Sequence, residues 1–176
     1  MELIPKKVFL TAGVGRHPTK LGSFERALRE AQIHPYNLVP VSSIIPPNAE
    51  IISKEEGLKS LKPGQIIFVV LSRISSDEVG RQIVASIGLA KLKNNNTAHG
   101  YISEFSAFDM PVDIAKKNAE YLAAEMLATS IGDPPLDFND EKVNLDKFII
   151  KSTAASATIE NGDGWVTAIA AAVLLI

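Results

Sequence analysis

Two adjacent serines, Ser42 and Ser43, stand between Leu38-Val39-Pro40-Val41 and the stop Ile44-Ile45-Pro46-Pro47. Leu38, Val39, Val41, Ile44 and Ile45 predict one buried strand, and buried backbone is held rigidly. In such a strand a serine hydroxyl can be pressed against the carbonyl carbon of its own preceding peptide bond. Attack there turns the Ser42–Ser43 amide into an ester through the Ser43 oxygen. β-Elimination then breaks the ester and leaves a dehydroalanine, which hydrolyses to a pyruvoyl group at a new amino terminus. The chain would make its own electrophilic carbonyl. The competing reading of any Ser-Ser pair is a solvated turn. The second pair, Ser75-Ser76, is followed by Asp77-Glu78-Val79-Gly80 and reads as such a turn.

Three further polar residues stand where chemistry is conceivable. Glu104 is the one acid in Tyr101-Ile102-Ser103-Glu104-Phe105. Facing the core, it would have a raised pKa and could donate a proton near neutrality; facing outward, it would be an ordinary strand carboxylate. Glu25 reads as a first-turn helix acid favoured by the macrodipole. Asn37 reads as a turn residue before a strand. His17, His34 and His99 have no metal-ligand spacing and read as loop or capping residues. Gly13-Val14-Gly15 lacks the third glycine of a dinucleotide loop, and Lys20 is out of register for a P-loop. No Gly-x-Ser-x-Gly elbow is present.

The elements that must position these residues follow from hydrophobic pattern. Val8–Ala12 predicts a first strand. Ser23 is the expected N-cap of a helix with Phe24, Ala27, Leu28 and Ala31 on one stripe, ended by His34-Pro35-Tyr36. Gly57–Gly64 reads as polar and turn-rich, and Ile66–Leu71 as a central strand. Ile83–Ala90 alternates like a strand, Lys91–His99 is a polar loop, and Tyr101–Phe108 is a further strand. Between Pro111 and Ile131 the apolar positions Ala115, Ala119, Leu122 and Met126 predict a helix stopped by Gly132. Asp133–Asp146 reads as an acidic surface excursion. Phe148–Ile159 and Trp165–Ile176 read as strands, with Asn161-Gly162-Asp163-Gly164 as a hairpin joint. The fold class expected is α+β, a layered α/β sandwich with mainly antiparallel sheets covered by helices.

A chain of 176 residues suits a single domain spanning 1–176 and can bury a substantial core. A net charge of −2 gives no support for a nucleic-acid partner. The absence of cysteine excludes disulfides, thiolate metal sites and cysteine nucleophiles. No apolar run reaches the roughly 18 residues of a spanning helix. Met1-Glu2-Leu3-Ile4-Pro5-Lys6-Lys7 lacks a signal-peptide core. A cytoplasmic protein without membrane attachment is expected.

Asn37-Leu38-Val39-x-Val41-Ser42-Ser43-Ile44-x-Pro46-Pro47 resembles the self-cleavage site of the pyruvoyl-dependent arginine decarboxylases. The resemblance runs from about Val8 to Ile176. It includes Ser23-Phe24-Glu25-Arg26-Ala27-Leu28, Gly100–Phe105, Ala123-Ala124-Glu125-Met126-Leu127 and Gly164–Ala170. It implies cleavage into residues 1–42 (β chain) and 43–176 (α chain), with Ser43 as the source of a covalent pyruvoyl group. It also implies decarboxylation of L-arginine to agmatine through a Schiff base, with no PLP and no metal. Glu104 would be the proton donor, Asn37 would polarise the scissile region, and Glu25 would meet the substrate guanidinium. Archaeal members carry aspartate in a Phe-Asp-x-Ala-Leu segment, so Glu25 adds a methylene and opens the question of substrate. Lysine or histidine decarboxylation, or a paralogue that never cleaves, are the alternatives. The family's homotrimers of cleaved αβ units, sometimes dimers of trimers, are expected, in polyamine synthesis or acid resistance.

Overall fold

The computed structural model describes residues 2–137 and 145–176. Its elements are β1 (Lys7–His17), α1 (Lys20–Glu30), β2 (Asn37–Pro40), β3 (Ile44–Ile45), β4 (Glu50–Ile51) and α2 (Lys54–Lys59). These are followed by β5 (Ile66–Ser76), β6 (Gln82–Leu92), β7 (Gly100–Phe108), α3 (Val112–Ser130), β8 (Phe148–Thr158) and β9 (Trp165–Leu175). The protein is α+β. A five-stranded sheet has the order β2-β5-β9-β1-β4, and a four-stranded sheet the order β3-β7-β6-β8. In the first, β2–β5 and β1–β4 are parallel and the other pairs antiparallel. The second is antiparallel throughout.

Three apolar clusters hold these elements together. Val8, Val70, Ala168 and Ala170 of the first sheet pack on Ile83, Ala85, Ile87 and Ile102 of the second. Alternate residues of the first sheet, Phe9, Val69, Ile169 and Ala171, meet Ala27 and Ala31 of α1. Ala123, Ala124 and Leu127 of α3 meet Ala90 of β6 and Phe148 of β8. The helices approach closely because the strands beneath them carry glycine. A Cβ at Gly15 would stand 2.0 Å from the Ser23 carbonyl oxygen, and one at Gly88 would stand 2.2 Å from that of Ala119. Hydroxyls reinforce these approaches: Thr11 donates to the Ala31 carbonyl, and Ser86 to that of Ala115.

β1, β6, β7 and α3 lie where the pattern places them, and β9 is a buried strand. β5 is interior as expected, although β9 holds the centre of its sheet. Gly132, at φ +85°, ends the turn after α3 as expected. Other expectations are corrected. The N-cap of α1 is Thr19, whose hydroxyl accepts from the Gly22 amide; Ser23 lies inside the helix and its hydroxyl reaches Thr167. The helix ends at Glu30, with Gln32 at φ 64°, before His34. Ser75-Ser76 is the end of β5 and no solvated turn, since Ser75 also bonds Thr167 and Ser76 is buried. Part of the turn-rich stretch is helical in α2, capped by Ser53.

The polar loop begins later than expected, because β6 continues through a buried Lys91 whose ammonium donates to the Ala49 carbonyl. The expected hairpin between β8 and β9 does not form. Among the described residues β8 pairs only with β6, and β9 pairs with β1 and β5, so the Asn161–Gly164 joint carries the chain from one sheet to the other. The joint carries the glycines of a turn, at Gly162 and Gly164 with positive φ, yet the two strands it joins pair in different sheets. Part of the Asp133–Asp146 excursion, residues 138–144, lies outside the described residues.

Candidate active site

The stretch expected to form one buried strand is two short ones in different sheets. β2 pairs in parallel with β5, extended by an Val41 amide bond to the Val69 carbonyl at 2.9 Å. β3 pairs with β7 in the other sheet. Ser42 and Ser43 make the crossing. Val39, Val41 and Ile44 are exposed in the single chain, which corrects the buried strand. Rigidity comes instead from backbone bonds at the crossing. The Ser42 carbonyl accepts the Ile44 amide at 3.0 Å, and the Ser43 carbonyl accepts the Ile102 amide at 2.7 Å. The Ser43 hydroxyl has no hydrogen-bond partner among the described residues. An apolar cavity of about 270 Å³ adjoins Ser42, lined in part by Val41, Ile44, Phe68 and Leu174.

Register on β7 brings Glu104 to the same place. Ile44 lies opposite Tyr101, so the bond from Ile102 sets Ser43 beside Ile102, two residues before Glu104. Ile102 faces the space between the sheets, whereas Ser103 turns to α3 and donates to the Ala119 carbonyl. Alternation returns Glu104 to the inter-sheet side, at its open rim. Glu104 itself is exposed in the single chain, and partial desolvation by the strands around it raises its pKa above the ordinary glutamate value. Among the described residues Glu104 forms no ion pair, so desolvation is not offset by a cation.

Asn37 and Glu25 lie elsewhere in the chain. Asn37 opens β2, five residues before Ser42, or about 16 Å along an extended strand. Its side-chain amide donates to the Gly64 carbonyl at 2.8 Å, and its backbone amide donates to Gln65 at 2.9 Å. Glu25 is on α1, where its carboxylate accepts from Arg29 at 2.6 Å. It borders an open groove of about 770 Å³ with His17, Arg26 and Arg29. Because α1 covers the outer face of the five-stranded sheet, that sheet separates Glu25 from Ser43 within one chain. Among the described residues no group of three His, Asp or Glu is arranged to hold a metal ion. Among the described residues no helix is long and apolar enough to cross a membrane.

Sequence reasoning missed the Ile44 and Ile102 amides, because main-chain donors leave no mark on residue type. It also missed Lys91, whose bond to Ala49 ties β6 to the segment after Pro46-Pro47. A lone lysine at the end of an otherwise apolar strand was its only signal.

The family model described as pyruvoyl-dependent arginine decarboxylase (PvlArgDC) matches residues 7–176. Pyruvoyl-dependent arginine decarboxylase 1 of Methanosarcina mazei is 46% identical over 175 residues, covering 99% of this chain and 98% of the relative. The pyruvoyl-dependent arginine decarboxylase of Thermoplasma volcanium is 45% identical over 178 residues, covering 98% and 97%. A probable pyruvoyl-dependent arginine decarboxylase of Chlorobaculum parvum is 47% identical over 182 residues, covering 99% of each. The chain belongs to the pyruvoyl-dependent arginine decarboxylase family.

Proposed function

We propose that this protein is a carboxy-lyase that converts L-arginine to agmatine and CO₂, using a pyruvoyl group made by its own cleavage at Ser42–Ser43. The observation that carries the reading is the placement of this bond in a backbone-clamped crossing next to Glu104. Family membership over nearly the whole chain supports it.

The residues present fit such a group. Ser43 has an unengaged hydroxyl, and the carbonyl before it already accepts a hydrogen bond. Attack by the Ser43 oxygen on the Ser42 carbonyl carbon gives an ester and a free amine at residue 43. Removal of the Ser43 α-proton then breaks the Cβ–O bond and releases Ser42 as a carboxylate. Water replaces the nitrogen as ammonia, leaving chains 1–42 and 43–176.

The pyruvoyl ketone supplies the electron sink that decarboxylation needs. Glu104, whose pKa is raised by partial desolvation, is the group suited to deliver a proton to the former α-carbon after CO₂ leaves. Glu25 is suited to pair with a guanidinium across two N–H groups. Its separation from Ser43 within one chain supports a site shared between subunits, Glu25 coming from the neighbour. The exposed Val39, Val41 and Ile44 beside the crossing are suited to burial in that contact, consistent with a homotrimer or a dimer of trimers. Asn37 acts as a positioning residue, its amide anchoring the start of β2 through Gly64. The two sheets with α1 and α3 outside them read as the layered sandwich of this enzyme class. A cytoplasmic location and a place in arginine metabolism complete the reading.

Intact-mass measurement of purified protein tests the first half: two chains are expected, the larger with a blocked amino terminus. Agmatine released from arginine, and not from lysine or histidine, tests the second. A single uncut chain that releases no CO₂ would return the protein to a structural or regulatory role.

A further inference from the structure

The crossing that carries the scissile bond also carries a donor for it. The Ile44 amide folds back on the Ser42 carbonyl oxygen at 3.0 Å, closing a three-residue turn centred on Ser43. On its other side Ser43 is fixed by the Ile102 amide, 2.7 Å from the Ser43 carbonyl oxygen. The carbonyls before and after the attacking residue are therefore both held by backbone donors. Among the described residues no side chain donates to the Ser42 oxygen, and the Asn37 amide is engaged by Gly64.

We propose that the main-chain N–H of Ile44 is a catalytic donor for self-cleavage, stabilising the negative charge that forms on the Ser42 carbonyl oxygen. This rests on the reading that Ser42–Ser43 is the bond that breaks. In the step concerned, the Ser43 oxygen bonds to the Ser42 carbonyl carbon, and the carbonyl π pair moves onto the Ser42 oxygen. The hydroxyl proton leaves to water. As the carbonyl re-forms, the C–N bond breaks and its electron pair goes to the Ser43 nitrogen, which takes a proton from water. No atom is gained or lost between amide plus hydroxyl and ester plus amine. A donor aimed at this oxygen before reaction needs no reorganisation and gains strength as charge grows. Residue type at position 44 is thus secondary, whereas its N–H is essential.

The test replaces Ile44 by its α-hydroxy acid, which removes the N–H and keeps the side chain, and follows cleavage of the freshly folded chain by intact mass. Fragment formation should slow by about 10²–10³, the usual loss for one such donor. If the parent cuts at Ser42–Ser43 and the hydroxy-acid variant cuts equally fast, the role of Ile44 is overturned while the cleavage reading stands. If the parent never cuts there, or Ser43→Ala cuts normally, the cleavage reading itself fails. Should the hydroxy-acid variant not fold, hydrogen exchange of the Ile44 amide in folded, uncut Ser43→Ala decides. A protected amide supports the proposal, and one exchanging as freely as an open loop overturns it.

Discussion

Ser43 and Glu104 are joined through β7: the Ile102 amide donates to the Ser43 carbonyl, and Glu104 follows two residues later on the face that Ile102 shares. One hydrogen bond at 2.7 Å thus ties the residue that would be cleaved to the strand that carries the acid. In the proposed function, self-cleavage and proton delivery would both depend on this one strand pairing while using different atoms of it.

That division makes maturation and turnover separable at Glu104. Glu104→Gln keeps the shape and cannot release a proton to carbon, so chains 1–42 and 43–176 should still form. Decarboxylation should fall by about 10²–10⁴, the usual worth of a positioned general acid. Parental rates of CO₂ release from fully cleaved Glu104→Gln would make the carboxyl a bystander.

Glu104 also sets a pH dependence of stability. Partial desolvation raises its pKa in the folded chain, so the fold holds this proton more tightly than the unfolded chain does. Its contribution is fully present below the ordinary glutamate pKa and is lost as pH rises through the raised value. Chemical denaturation of the parent and of Glu104→Gln across this window should show that step in the parent alone. Parallel profiles for the two proteins would mean that the carboxyl is not desolvated.

Glu25 should affect substrate binding without affecting cleavage. Glu25→Gln removes one partner of a charge-assisted pair worth roughly 1.5–3 kcal/mol, so KM for arginine should rise by about one to two decades. Its exposed pair with Arg29 contributes little to stability, so the melting temperature should hardly move. Steady-state kinetics identical to the parent would leave Glu25 as a helix-surface acid.

Asn37→Ala distinguishes anchoring from direct polarisation. Loss of one ordinary hydrogen bond, to Gly64, is worth about 0.5–1.5 kcal/mol and should slow cleavage by no more than about tenfold. A direct donor to the scissile carbonyl would instead cost about 10²–10³. The cleavage half-time of freshly expressed protein reads the difference, and a loss of the larger size would move Asn37 to the reacting bond.

Gly88→Ala tests the seating of α3. The added methyl would stand 2.2 Å from the Ala119 carbonyl oxygen, so helix and strand must part. Overpacking of this kind typically costs about 1–3 kcal/mol. A melting temperature equal to the parent's would show that the contact is looser than drawn.

The sequence by itself determined the family, the candidate reacting pair and acid, and most of the elements around them. Ile66–Leu71, Ile83–Ala90 and the alanine-rich stripe of α3 were legible because apolar period and length decide local structure. Ser42-Ser43 before Pro46-Pro47 stands out as a candidate through its resemblance to the family's self-cleavage motif, because every serine has a hydroxyl beside its own preceding carbonyl and residue type alone singles out none. Only the tertiary structure decided that this segment splits between two sheets, and that β8 and β9 part company across a turn written like a hairpin. It also decided that the Ile44 and Ile102 amides clamp the bond and that Glu25 lies behind a sheet from Ser43. Such relations depend on which strand edges meet, and the pairing energy of a main-chain N–H and C=O is nearly the same whatever side chain they carry.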